Sequence, residues 1–161
     1  MKALFAFVVI VVCAGCDQGS APAVAPQQAD PAVSAVAVPA LVTPAEFTKS
    51  AREASSADGT YRVKWEAIGG VIPDAEPFAI AVGVARADGK ALTADVRVSV
   101  DAEMPHHGHG MNLVPQVARR GTEPFFVASG LLFHMSGRWV LAVDVTESGV
   151  TERAQWYVDI E

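Results

Sequence analysis

From Tyr61 onward the chain alternates apolar and polar residues with a period of two. In YRVKWEA, Tyr61, Val63 and Trp65 are separated by Arg62 and Lys64, and Glu66 follows. In FAIAVGVA, Phe78, Ile80, Val82 and Val84 share one face. DVRVSV turns Val96, Val98 and Val100 one way and Arg97 and Ser99 the other. RWVLAVDV and AQWYVDI repeat the pattern with Trp139, Leu141 and Val143, then Trp156, Val158 and Ile160. A strand presents successive side chains to opposite faces, so each segment predicts a half-buried strand. Turn chemistry such as ADGK at 87–90 separates them. Six or seven short strands of this kind predict an all-β domain, an antiparallel β-sandwich of immunoglobulin-like architecture. The Cys…Trp…Cys mark of antibody domains is missing, so the likeness is one of architecture alone.

Upstream the pattern changes. TPAE at 43–46 predicts a short helix over 44–56, with Thr43 as N-cap, Pro44 at the first helical position and Glu46 closing a capping box. Asp58-Gly59 ends it. Residues 17–42 are rich in Ala, Pro, Gln and Ser, without a period, and read as a disordered or extended linker. At the N-terminus, Lys2 precedes the apolar run ALFAFVVIVV, which has signal-peptide length and is short for a membrane span. VCAGC then resembles the lipobox of bacterial lipoproteins, with Cys13 where a leucine is usual. The resemblance implies that Cys16 is lipidated and becomes the new N-terminus, anchored in the bilayer. Asp17 resembles a signal for retention in the inner membrane, which implies a place in the cell envelope on its periplasmic face. The expected organisation is a signal peptide over 1–15, a lipidated N-terminus and linker over 16–42, and a sandwich with its short helix over 43–161.

Composition narrows the partners. Of 161 residues, 51% are hydrophobic and 19% charged, which suffices for a core, and the net charge is −6. No Lys/Arg cluster is present to neutralise phosphates, which argues against nucleic acid. Both cysteines, Cys13 and Cys16, lie at the N-terminus. The domain beyond them therefore has no disulfide, catalytic thiolate or zinc–thiolate knuckle.

Candidate chemistry gathers in MPHHGHGM, residues 104–111. The strand alternation makes Met104 the next inward residue, either a core side chain or a ligand. Pro105 ends the strand. If the chain stays extended, His107, His109 and Met111 point one way and His106 the other, with Gly108 and Gly110 free to bend. Imidazole suits copper and zinc, and thioether selects the softer Cu(I), so a His/Met set favours copper in an undetermined oxidation state. Lack of a cysteine excludes a blue-copper site. Thioethers form no disulfides and so suit an oxidising, exported setting. A second cluster is GLLFHMSGRW at 130–139. Read as a strand, it puts Leu132 and His134 on one face and Phe133 and Met135 on the other. Met135 then reads as a core sulfur beside Trp139, and His134 as the residue that joins the first cluster. The competing reading of HGHG is a tight turn in which histidine caps backbone groups.

These two stretches, followed by LAVDV, are similar to the YtkA-like domain, a small immunoglobulin-like sandwich of bacterial exported proteins, over residues 60–146. The resemblance implies Met104, His107, His109, Met111, His134 and Met135 as the positions of interest, with His106 at a variable place. The expected function is a lipid-anchored exported copper-binding protein that holds copper or passes it to a membrane-protein partner such as an oxidase or an efflux system. His107, His109 and Met111 are its primary candidate ligands, with Met104 and His134 completing the shell. The alternative is a non-metal interaction module docking a membrane protein, with the His/Gly loop purely structural. No serine elbow, paired-acid motif or nucleotide loop is present, and no enzymatic activity is expected.

Overall fold

The computed structural model describes residues 47–121 and 124–161. The segments expected as signal peptide and linker, Cys16 and the capping-box residues at 43–46 lie outside them. Nine strands follow in chain order: β1 Arg52–Ser55, β2 Tyr61–Ala67, β3 Phe78–Arg86, β4 Arg97–Met104, β5 His109–Gly110, β6 Gln116–Arg120, β7 Phe125–Leu131, β8 Gly137–Glu147 and β9 Val150–Ile160. They form two antiparallel sheets, ordered β1-β2-β3-β7-β6 and β5-β4-β8-β9, that face each other as a sandwich. The period-two segments become strands because their apolar residues meet in one core. Val63, Trp65, Ile80 and Val82 of one sheet are buried against Val98, Val100, Leu141 and Val143 of the other. β4 alternates exposed and buried residues along its whole length.

The predicted helix gives way to strand. Residues 52–55 are β1, paired with β2 so that Ala54 faces Val63 and Glu53 faces Lys64. The Glu53 carboxylate bridges Arg62 at 3.0 Å and Lys64 at 3.1 Å. Cross-strand pairing of this kind outweighs the weak helix preference of the segment. β7 also departs from the alternation, with Phe125, Phe126, Val127 and Ala128 all buried. Its outer face is covered too: Phe47 packs on Phe125, ring centroids 5.9 Å apart, in a small second cluster with Ala79, Ala81 and Val127. A strand covered on both faces loses its period-two signature. Phe47 lies so close to Gly83 that a Cβ there would meet its ring at 2.6 Å.

Polar groups are buried at the end of the sandwich where β8 turns into β9. The Glu147 carboxylate accepts hydrogen bonds from the Thr93 N–H at 2.6 Å, the Tyr61 hydroxyl at 2.8 Å and the Arg86 guanidinium at 2.7 Å. The Thr93 N–H leads in holding this carboxyl down to about 2 against the effect of burial, with help from Tyr61 and Arg86. Burial, then the bond to Glu147, pushes the Tyr61 hydroxyl up to about 12. This cluster clamps the end of the sandwich opposite to the histidines.

Candidate metal centre

β4 ends with Met104, 1% exposed. Pro105 has no N–H to continue the ladder, and the chain reverses through residues 105–108. The N–H groups of His107 and Gly108 both donate to the Met104 carbonyl at 3.0 Å. Gly108 takes a left-handed φ of 67°, which glycine adopts without steric cost. β5 then returns beside β4, with His109 opposite Met104 and Gly110 opposite Glu103. The Met111 N–H donates to the Ala102 carbonyl at 3.1 Å. Residues opposite one another share a face, so His109 and Met111 are on the same side of the sheet as Met104 and Ala102, with Met111 half-buried and His109 exposed at the sheet's end. Gly110 suits this close approach, since a Cβ would stand a tight 3.2 Å from the Ala102 carbonyl oxygen.

The other wall is the crossover from β7 to β8, residues 132–136. It is not a strand. Phe133 is its core residue, stacked on Trp139 at 4.9 Å and edge-on to Phe78 at 5.1 Å. The Trp139 indole N–H donates to the Met135 carbonyl at 3.0 Å and closes the turn. That turn carries the Met135 side chain outward, 40% exposed, so the expected core sulfur beside Trp139 is not found. Backbone geometry, not sulfur packing, links Met135 to Trp139.

His134 reaches across this end of the sandwich. Its ring centroid lies 5.5 Å from that of His109, at an interplanar angle of 32°, and 5.4 Å from Trp139, edge-on. His109 is edge-on to the same indole at 6.4 Å. The His107 ring is 5.8 Å from His109. Three imidazoles therefore form a row, His107, His109, His134, and the last two stand over a fully buried Trp139. The extended reading of the loop fails for His107, which belongs to the turn, yet its ring still neighbours His109. His106 lies in the same turn, exposed. The Met111 sulfur accepts the Leu132 N–H at 3.5 Å, tying β5 to the crossover two residues before His134. Met104 is packed inward, its terminal methyl 2.9 Å from where a Cβ on Gly137 would sit.

Two imidazoles on one ion, each through a bond of about 2 Å, hold their ring centroids roughly 4.5–6.3 Å apart. Both neighbouring pairs in the row meet that spacing. The His134 Nδ1 is buried and has no hydrogen-bond partner among the described residues. A buried polar atom of that kind calls for a partner. No group of three or more His, Cys, Asp or Glu side chains is placed to hold an ion among the described residues. What the described residues do bring together is a pair of neighbouring imidazoles, His109 and His134, with the Met111 thioether bound to the adjoining crossover. Trp139 as the floor of the site escaped sequence reading. The signal was its place at the end of GLLFHMSGRW, two residues past a glycine.

No family model matches the chain, and no curated protein does. Among solved structures, a DUF4426 family protein from Pseudomonas aeruginosa PAO1 aligns over 63% of this chain and 91% of its own, with 14% identity and a TM-score of 0.45.

Proposed function

We propose that this protein is an exported copper-binding protein of the YtkA-like kind, anchored to the bacterial inner membrane through a lipid on Cys16, that holds copper or passes it to a membrane-protein partner. The observation that carries the reading is the approach of His134 to His109, on separate elements, over one buried indole. Met111 supplies a soft donor at the same seam. Histidine and thioether together suit copper better than zinc. His109 and His134 are the paired ligands and Met111 the third, while His107 stands at the exposed rim, where an arriving ion is met first, and stays out of the final shell. Met104 serves in this reading mainly as the buried support behind His109. The protein binds and carries no reaction of its own.

Titration of the chain with Cys13 and Cys16 replaced by serine tests the reading without competing thiols. One equivalent of copper is expected to bind, and to bind far more weakly in a His109→Ala/His134→Ala variant. Unchanged binding in that variant sinks the assignment. One observation favours the alternative of an interaction module: no three His, Cys, Asp or Glu side chains converge among the described residues. In that case copper leaves the melting temperature unchanged, whereas a ligand specific to the folded state raises it.

A further inference from the structure

The donors around His134 also bear on oxidation state. We propose that this site selects Cu(I) over Cu(II), with Met111 as the residue that sets the preference; this rests on the copper reading above. Cu(II) favours a tetragonal shell of four nitrogen and oxygen donors, while thioether ligands select Cu(I). Here the hard donors run out early. No carboxylate joins the His109–His134 pair as a preformed group among the described residues, and the third imidazole of the row, His107, is exposed in the turn on the far side of His109. Below the pair lies Trp139, fully buried, stacked on Phe133 and fixed by its bond to the Met135 carbonyl. A packed indole offers no oxygen ligand and leaves no room for water on that side. What the seam does supply is the half-buried sulfur of Met111, held beside the crossover by the Leu132 N–H. Two imidazoles and one thioether satisfy a low-coordinate soft ion, whereas a tetragonal one would have to draw its remaining donors from His107 and solvent on the exposed side of His109.

The specificity is testable in the full chain carrying Cys13→Ser and Cys16→Ser. Cu(I) affinity is measured anaerobically by competition with a chromogenic Cu(I) chelator, and Cu(II) affinity by competition with a Cu(II) chelator. Cu(I) is expected to bind at least about 100-fold more tightly than Cu(II). Met111→Leu keeps side-chain volume, so the fold should persist. It should weaken Cu(I) by about tenfold or more and leave Cu(II) within about twofold. Cu(II) binding as tight as Cu(I), or Cu(I) binding untouched by Met111→Leu in a variant whose near-ultraviolet dichroism is native, overturns the inference while leaving a copper site standing. Failure to bind copper in either state overturns the copper reading itself, and this inference with it.

Discussion

His134 leaves the β7–β8 crossover with its Nδ1 buried and without a hydrogen-bond partner among the described residues, while its ring stands 5.5 Å from that of His109. The pairing of these two residues was legible in the chain, because both sit in short clusters of His, Met and Gly. Their shared floor was not. Trp139 read as one more apolar residue in an alternating strand, and its place at the end of GLLFHMSGRW was the one sign that two imidazoles would meet its edge. Met135 misled for a related reason: alternation was extended through 132–136, where the backbone turns. Gly137 shows how tightly that turn is built. Its φ is 123°, and a Cβ there would lie 2.9 Å from the Met104 methyl. Gly137→Ala should therefore cost about 1–3 kcal/mol through backbone strain and overpacking, read from denaturant unfolding. A loss below about 0.5 kcal/mol would mean that Met104 is free to move aside.

Among the elements, the strands with one solvent-facing side were the readable ones. β2, β4 and β9 carry their alternation openly. β1 was read as helix because TPAE is a strong start signal and the segment after it is short; pairing to β2 decides its state instead. β7 hid because both its faces are covered, the outer one by Phe47. Contact between Phe47 and Gly83 gives this cover a direct test. Gly83→Ala should destabilise the protein by about 1–2 kcal/mol, because the ring is displaced. In a Phe47→Ala background the same change should be near neutral. A double-mutant cycle measures the difference, and strict additivity would show that the ring does not press on β3.

Across the whole molecule, the two ends of the sandwich are specialised. The histidine end presents its rings at a hairpin and a crossover; the other end closes on a buried carboxylate. Glu147 has its carboxyl lowered from the ordinary 4.5 to about 2 in the folded protein. A depressed carboxyl stabilises the fold fully above its unfolded value and loses that contribution as pH falls through the folded one. Stability should therefore decline as pH drops from 4.5 toward 2, and Glu147→Gln should flatten that slope while lowering stability near neutral pH by about 2–4 kcal/mol. Urea unfolding at a series of pH values checks both, and an unchanged slope in the variant would assign the acid sensitivity elsewhere. At the histidine end, X-ray absorption at the copper edge of the one-equivalent Cu(I) complex probes the site most directly. A first shell of two imidazole nitrogens and one sulfur is expected, with the sulfur lost in Met111→Leu and one imidazole lost in His134→Ala. A shell of oxygen donors alone, or one that survives both substitutions unchanged, would contradict it.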